Sequence, residues 1–144
     1  IFAVEMFVDK NGEVLVNETA PRVHNSGHHT IEAHYCSQFD MLWRIMLSYP
    51  LGNTDAILPS IMVNIIGADG HSGNVSYEGL EEVLKIENAF VHLYGKKQTK
   101  PGRKMGHVTI LSREKQELLH QSNKVKRTLL VRCLKTVKVN SMRF

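Results

Sequence analysis

The sequence predicts an α+β fold, in which a β-hairpin and a helix come first and a β-rich segment follows. The hairpin is indicated by Asn11-Gly12, a turn signal that lies between two alternating apolar runs. The helix is indicated by apolar residues at spacings of three and four over residues 39–46, just before Pro50. In the second half, β-branched runs alternate with short helical patterns, so strands and helices share that segment.

The length and composition set the expected domain organisation. The chain has 144 residues, 42% of them hydrophobic and 22% charged, which is enough for one domain or slightly more. A composition shift over residues 51–58 predicts one segment over 1–55, a second over 56–133 and a basic tail over 134–144. The pattern starts within a strand at Ile1, so we expect a fragment of a longer protein.

The apolar runs and the cysteines bear on the compartment. The longest uncharged apolar run, residues 56–66, falls short of the ~20 residues that a membrane-spanning helix needs. Cys36 and Cys133 lie far apart, which argues against a disulfide scaffold and favours a reducing compartment. We therefore expect a cytoplasmic protein that does not bind a membrane.

The basic balance of the chain is concentrated at one end. The net charge is +4, but residues 118–144 hold seven Lys and Arg and no acid, which leaves the other 117 residues with 11 basic and 14 acidic side chains. A basic C-terminal segment of this kind is more often solvated than bound to nucleic acid, so no nucleic-acid partner is expected. A basic module that binds RNA or acidic partners stays open as an alternative.

The first half is expected to form a hairpin, a polar loop and a helix. Alternating runs over residues 1–8 and 13–18 are the two strands, and residues 21–29 form a loop rich in polar side chains. Ser37 is the expected N-cap, followed by Asp40 in a capping-box position, and an earlier start at Thr30 is the alternative. The apolar spacing predicts that this helix buries one face.

The second half is expected to alternate strands with short helices. β-branched runs predict three strands, over residues 61–66, 89–94 and 105–111. A glycine-rich loop is expected over residues 67–74, and a basic loop over 95–104. Ser76 is the expected cap of a short helix that carries Leu80, and Ser112 the expected cap of a last helix that carries Leu118.

Two carboxylates are expected to meet across the hairpin. With a two-residue turn at Asn11-Gly12, the partners pair so that Glu5 faces Glu18. Like charges directly opposite each other are destabilising, so either one glutamate is protonated or a cation such as Mg²⁺ lies between them. If the turn is longer or bulged, the register slips and one glutamate is merely solvated. Asn17 is expected to point to the other face of a regular strand.

The loop after the hairpin carries many hydrogen-bond donors. Its polar side chains, which would suit an anionic substrate, are Arg22, His24, Asn25, Ser26, His28 and His29. A rival zinc site would use His24, His28, His34 and Cys36, but their spacing fits no familiar zinc pattern. The basic loop holds five cations, Lys96, Lys97, Lys100, Arg103 and Lys104. That composition suits a phosphate, or a solvated loop.

Four ordered motifs carry a resemblance to one enzyme family. They are VEMF (residues 4–7), VNETAPRVHNSGH (16–28), SQFD (37–40) and YGKKQTKPGRKMGH (94–107). Together they resemble the 5-(carboxyamino)imidazole ribonucleotide synthetases, which are ATP-grasp enzymes of purine biosynthesis. The resemblance implies the C-terminal part of an ATP-grasp domain, an antiparallel hairpin plus a helix, followed by a small β-rich C-terminal domain.

The resemblance also implies an activity and its site. ATP and bicarbonate would form carboxyphosphate, whose carboxyl group passes to the amine of aminoimidazole ribonucleotide as ADP and phosphate are released. Glu5 and Glu18 would bind Mg²⁺ or Mn²⁺, with Asn17 as a neighbouring cofactor-binding residue. Arg22 and His24 would be catalytic. The implied substrate-binding residues are Asn25, Ser26, His28, Lys96, Arg103 and Lys104, of which the last three would hold the substrate's phosphate.

Other features of the family bear on this chain. Relatives suggest a homodimer. The family's N-terminal domain and the glycine-rich lid that holds the ATP phosphates have no counterpart in the sequence, so the chain alone is not expected to turn over. A related ATP-grasp ligase, such as a ribonucleotide formyltransferase or a biotin-dependent carboxylase component, is the alternative within the superfamily.

Overall fold

The computed structural model describes residues 1–134, which form two compact units. The first comprises residues 1–61 with 111–115, and the second comprises 62–110 with the described residues from 116 onward. The domain boundary expected after residue 55 stays a prediction, and the expected tail lies outside the described residues apart from Leu134. None of the helices within residues 1–134 combines the length and the hydropathy that a membrane-spanning segment needs.

The first unit begins with the predicted antiparallel hairpin. Its strands are β1 (Ala3–Val8) and β2 (Val14–Ala20). The turn has three residues rather than the expected two, because the backbone N–H of Asp9 donates to the carbonyl of Glu13 at 2.9 Å. The Asp9 carboxylate also accepts hydrogen bonds from the N–H groups of Asn11 and Glu13, each at 2.8 Å. Gly12 adopts a φ of +86°, the left-handed conformation that such a turn requires.

Two short helices follow the hairpin in the first unit. A 3₁₀ turn over Asn25–Gly27 leads to α1 (Thr30–Ala33) and then to α2 (Gln38–Met46). The Ser37 hydroxyl accepts a hydrogen bond from the N–H of Asp40 at 3.1 Å, which confirms the predicted cap. The chain is extended at His34, so the alternative of one continuous helix from Thr30 is wrong.

The expected buried face of α2 is not formed in this structure. None of its residues is buried, and Trp43 and Met46 are 60% and 66% exposed. Within the unit α2 contacts α1, which has four residues and is too short to cover the apolar side of a nine-residue helix. The helical spacing was correct, but spacing alone does not supply a neighbouring element.

The second unit contains two three-stranded sheets. The first has the order β3-β7-β5, with β3 (Ser60–Ile66), β5 (Ala89–Leu93) and the central β7 (Lys104–Leu111). The second has the order β6-β4-β8, with β4 (Gly73–Glu78), β6 (Gln98–Thr99) and β8 (Leu130–Cys133). A backbone bridge between Gly67 and Val131 links them. The core centres on β7, where Met105 and the five residues after it are buried.

The helices of the second unit differ in part from expectation. Helix α4 (Lys115–Thr128) is confirmed, and the Ser112 hydroxyl accepts from the N–H of Glu114 just before it, at 3.1 Å. The short helix α3 (Leu80–Leu84) is also present, but it begins after Gly79, whose φ is +75°. Ser76, the expected cap, lies in β4 opposite Arg132 of β8, and neither strand was predicted.

Candidate functional site

The hairpin brings Glu5 and Glu18 directly opposite each other, as the sequence predicted. The route differs from the expected one. Near the turn the register is shifted by one residue, so that Met6 pairs with Val16, and a bulge between Glu5 and Met6 restores the expected register. A three-residue turn and one extra residue on β2 therefore compensate, and the two carboxylates meet.

Asn17 is the extra residue of this bulge. Its side-chain Nδ2 donates a hydrogen bond to Oε2 of Glu5 at 3.3 Å. The expectation that Asn17 points away from its neighbour Glu18 applied to a regular strand, and β2 is bulged at this residue. The bulge turns the Asn17 side chain toward the same carboxylate that faces Glu18, because two residues of a bulged strand oppose one residue of its partner.

The ring of His24 lies between the two carboxylates. Nδ1 is 3.4 Å from Oε1 of Glu5, and Nε2 is 3.2 Å from Oε1 of Glu18. His24 itself is buried, whereas the two carboxylate side chains are 37% and 55% exposed. One ligand atom from each of the three residues fits within a 4.8 Å span, which is a donor set for a divalent cation. The resemblance implied a catalytic role for His24 and did not place it in this set.

The loop that carries His24 is held by local hydrogen bonds. Nδ1 of His24 lies 2.9 Å from the Ser26 hydroxyl, within the 3₁₀ turn that His24 caps. The Asn25 side-chain oxygen is buried and accepts no hydrogen bond from the described part of the chain. A buried acceptor of this kind is costly unless a donor reaches it, so Asn25 is available to a ligand with an N–H or O–H group.

Arg22 and His28 occupy different environments in the same loop. Arg22 is exposed, and its Nη1 donates to the carbonyl of Val23 at 2.9 Å. His28 is half-buried, and its Nδ1 lies 2.8 Å from Nε2 of Gln38. The sequence places Gln38 at the start of a capped helix and in the SQFD motif, and neither predicts a role for it in the site. The signal that could have found it is its place in the SQFD motif, a polar side chain beside a loop rich in histidine.

The rival zinc set is not assembled. Within residues 1–134 the cluster with metal-binding geometry is Glu5, Glu18 and His24. His34 hydrogen-bonds through Nδ1 to the carbonyl of Thr54 at 2.8 Å. The thiol of Cys36 donates to the Asp40 carboxylate at 2.8 Å.

Cys36 belongs to a separate cluster at the start of α2. The Asp40 carboxylate accepts from the Cys36 thiol and from Nε of Arg44, each at 2.8 Å. The hydrogen bond to Asp40, together with burial, raises the pKa of Cys36. The same hydrogen bonds, with that from Cys36 the larger cause, lower the pKa of Asp40. Cys36 is therefore a protonated, unreactive thiol at neutral pH.

The predicted basic loop lies in the second unit and is tightly folded onto β3. The N–H of Gly67 donates to the carbonyl of Arg103 at 2.9 Å, and the N–H of Gly102 donates back to the carbonyl of Gly67 at 3.0 Å. A Cβ on Gly67 would lie 2.2 Å from the carbonyl oxygen of Lys100, so only glycine allows this close approach. These contacts hold Gly102 and Arg103 of the loop against Gly67.

Two of the cationic side chains of this loop, Lys96 and Arg103, donate hydrogen bonds to backbone carbonyls of the loop. Nζ of Lys96 donates to the carbonyl of Lys104 at 2.6 Å and lies 5.5 Å from the ring centroid of Tyr94. Nη1 of Arg103 donates to the carbonyl of Gln98 at 3.0 Å. Burial raises the pKa of Tyr94, which stays a neutral partner for the ammonium group. The three cations that the resemblance implied thus come from one short, ordered segment.

Two family models match the chain. The Phosphoribosylaminoimidazole carboxylase C-terminal domain matches residues 60–121, and the ATP-grasp domain matches residues 1–39. The first match covers the strands of the second unit except β8, together with the first half of α4, and the second covers the hairpin and the loop with His24.

Similar proteins carry consistent names. The chain is 46% identical over 127 residues to the N5-carboxyaminoimidazole ribonucleotide synthase of Aquifex aeolicus, a match that covers 87% of this chain and 33% of that protein. It is 42% identical over 119 residues to the Bacillus subtilis protein of the same name, covering 83% of this chain and 30% of that one. The chain thus spans about a third of the length of these relatives.

Solved structures of the same kind resemble this one. The N5-carboxyaminoimidazole ribonucleotide synthetase from Thermotoga maritima superposes with a TM-score of 0.86 at 47% identity, covering 92% of this chain and 37% of that one. The synthase from Aspergillus clavatus, solved in complex with ADP and 5-aminoimidazole ribonucleotide, gives a TM-score of 0.76 at 38% identity, covering 88% and 34%. The predicted mixed α and β architecture is confirmed by these matches.

Proposed function

We propose, from the premise that the chain belongs to the N5-carboxyaminoimidazole ribonucleotide synthetase family, that the protein containing it carboxylates aminoimidazole ribonucleotide with ATP and bicarbonate. The chain matches the C-terminal portion of this family. The proposed reaction belongs to de novo purine biosynthesis. The observation that carries the proposal is the cluster of Glu5, Glu18 and His24 within the segment that matches the ATP-grasp domain.

The proposed reaction has two chemical steps. A bicarbonate oxygen attacks the γ-phosphorus of ATP, the bond to the bridging oxygen breaks, and ADP leaves. The amine nitrogen of aminoimidazole ribonucleotide then attacks the carboxyl carbon of carboxyphosphate. Inorganic phosphate leaves, the amine loses a proton, and the carboxyamino product forms. Both steps concentrate negative charge near the reacting groups, so the protein must supply positive charge and hydrogen-bond donors.

Glu5 and Glu18 are the proposed ligands of Mg²⁺ or Mn²⁺. Their oxygens lie with a His24 nitrogen inside a 4.8 Å span, and oxygen ligands are those that Mg²⁺ prefers. A bound divalent cation would neutralise charge on the phosphate oxygens of ATP at this place. Asn17, bonded to Glu5 at 3.3 Å, would orient that carboxylate on the nucleotide side.

The loop after the hairpin would bind the bicarbonate-derived group. The exposed guanidinium of Arg22 has five N–H groups, and the hydrogen bond of one nitrogen to Val23 leaves others to stabilise developing negative charge. His24 would act beside it, between the two glutamates. Asn25, Ser26 and His28 would contact the substrate, and the buried side-chain oxygen of Asn25 supports this role for that residue.

The basic loop of the second unit would hold the phosphate of the ribonucleotide. Lys96, Arg103 and Lys104 are the proposed phosphate ligands, and the Gly67 contacts at 2.9 and 3.0 Å support a preformed loop. A preformed cationic loop binds a phosphate at a smaller entropic cost than a mobile one.

The proposal extends to compartment and assembly. Cys36 and Cys133 are both free thiols, which favours the reducing environment of the cytoplasm. A homodimer is the proposed assembly of the full-length protein, and sedimentation of that protein tests it.

ADP formation tests the proposed function. The full-length protein that contains this chain is assayed with Mg²⁺, ATP, bicarbonate and aminoimidazole ribonucleotide, and each component is omitted in turn. We expect ADP formation to need all four. Turnover that persists without aminoimidazole ribonucleotide, and rises instead with the substrate of another ATP-grasp ligase, would assign the protein to that ligase class.

A further inference from the structure

The side chain of Gln38 is bonded to two histidines of the candidate site. Its Oε1 accepts the backbone N–H of His24 at 2.9 Å, and its Nε2 donates to the backbone carbonyl of His24 at 2.8 Å. The same Nε2 lies 2.8 Å from Nδ1 of His28. One half-buried carboxamide thus engages the backbone of one residue and the ring of another.

These contacts fix the orientation of the carboxamide. A backbone N–H can only donate and a backbone carbonyl can only accept, so Oε1 must face the N–H of His24. One hydrogen of Nε2 then goes to the His24 carbonyl, and the other is directed at Nδ1 of His28. Nδ1 must therefore accept, which places the ring hydrogen of a neutral His28 on Nε2.

The surrounding loop is shaped around this side chain. A Cβ on Gly27 would lie 2.7 Å from Oε1 of Gln38, so a larger residue at position 27 would displace the carboxamide from this position. The backbone N–H of Gln38 donates to the Thr30 hydroxyl at 3.0 Å, and that hydroxyl donates to the carbonyl of Gly27 at 2.6 Å. The His28 ring also lies 5.4 Å from that of Phe39, the next residue of α2.

We propose that Gln38 is a positioning residue for the candidate site. It holds the backbone of His24 where the ring meets Glu5 and Glu18, and it sets the tautomer in which His28 presents an N–H donor. A ring with a fixed N–H donor suits an anionic group such as bicarbonate or the carboxyl of carboxyphosphate. This inference rests on the proposed function for its ligand, whereas the hydrogen-bond arrangement does not depend on it.

Replacement of Gln38 by glutamate in the full-length protein tests the inference. The carboxylate keeps the size of the side chain and can accept from the N–H of His24. It cannot donate to the His24 carbonyl or to Nδ1 of His28, so the ring must change its tautomer or gain a proton. We expect kcat/KM for bicarbonate to fall about tenfold or more, which corresponds to about 1.4 kcal/mol of transition-state stabilisation. Gln116→Glu, the same change at an exposed position of α4, is the matched control.

Nitrogen NMR of the full-length protein with isotope-labelled histidine gives a readout that does not depend on turnover. In the wild type we expect the His28 signals of the Nε2–H tautomer, and in Gln38→Glu those of the other tautomer or of the imidazolium. Gln38→Met, which removes all three hydrogen bonds at similar volume, should lose activity like the glutamate variant without protonating His28.

Two results would overturn the inference. The first is a His28 signal of the Nδ1–H tautomer in the wild-type protein, a measurement that does not depend on the folding of any variant. A folded Gln38→Glu protein with kcat/KM within twofold of the wild type would do so as well. If the wild type has no turnover but shows the expected tautomer, the proposed function fails while the positioning by Gln38 stands.

Discussion

Replacing Glu18 by glutamine separates the functional role of the carboxylate pair from its role in stability. In the absence of metal, two carboxylates at the 4.8 Å limit of the cluster repel by about 0.9 kcal/mol in water and about 3.5 kcal/mol at an effective dielectric constant of about 20. The side chains of Glu5 and Glu18 are 37% and 55% exposed, so the repulsion lies toward the lower figure.

The variant also loses an attraction. Glu18 lies 3.2 Å from Nε2 of the buried His24, and a part-buried hydrogen bond of this kind contributes about 0.5–1.5 kcal/mol. The two changes nearly cancel. We therefore expect the free energy of unfolding of the metal-free Glu18→Gln protein to lie within about 1 kcal/mol of the wild type. Urea unfolding of the full-length protein in the presence of a chelator measures this quantity.

Activity should respond very differently. Loss of one of two anionic ligands should lower kcat/KM about a hundredfold or more, which corresponds to about 2.7 kcal/mol. Glu13→Gln, an exposed carboxylate in the turn of the same hairpin, is the matched control and should leave activity unchanged. The reasoning is refuted if Glu18→Gln keeps activity within twofold of the wild type. A loss of stability above about 2 kcal/mol would instead make Glu18 a structural residue.

Three further predictions address other parts of the chain. Arg103→Ala should raise the KM for aminoimidazole ribonucleotide about tenfold while the KM for bicarbonate stays constant, because the guanidinium would contact the phosphate of the ribonucleotide and not bicarbonate. Steady-state kinetics with each substrate varied in turn measure both constants. Gly67→Ala should destabilise the protein by about 1–3 kcal/mol in urea unfolding, since its Cβ would lie 2.2 Å from the Lys100 carbonyl oxygen. The Cys36 and Arg44 hydrogen bonds lower the pKa of Asp40, so its carboxylate stabilises the fold above its unfolded-state pKa and this contribution is lost as the pH falls through the lowered folded-state pKa. The free energy of unfolding, measured at several acidic pH values, should therefore depend less steeply on pH in Asp40→Asn than in the wild type.

The carboxylate pair shows how local patterns can predict a site correctly by an inexact route. Asn11-Gly12 fixed the place of the hairpin, but not the three-residue turn or the bulge at Asn17. A bulge has no clear sequence signal, because it depends on how two strands pair and not on the residues of one strand. The opposition of Glu5 and Glu18 was thus predictable, and the approach of Asn17 was not.

Long-range strand pairing explains why β4 and β8 were not predictable from the sequence. Val75 and Tyr77 alternate as strand residues, but the serine between them resembled a helix cap. Their strand is formed by pairing with Val131 and Cys133, more than fifty residues later in the chain. Helices α3 and α4 were predictable because the spacing of their apolar residues is a local pattern. Strands β4 and β8 were not, because each forms by pairing with the other.

The site residues divide in the same way. His24 and Gln38 contact each other when the loop folds back on α2. No spacing pattern in the sequence predicts this contact. The cationic loop was visible in composition, but its ordered form depends on Gly67, which lies in a distant segment. Chemical composition thus indicated which groups are present, and the fold decides which of them meet.

Transfer of labelled carbon tests the central claim most directly. The full-length protein is incubated with Mg²⁺, ATP, aminoimidazole ribonucleotide and isotope-labelled bicarbonate, and the product is followed by carbon NMR. We predict a new labelled signal from a carboxyamino carbon on the ribonucleotide, formed in equal amount with ADP. ADP formation with all label remaining in bicarbonate, or label in a different product, would contradict the proposed carboxylation.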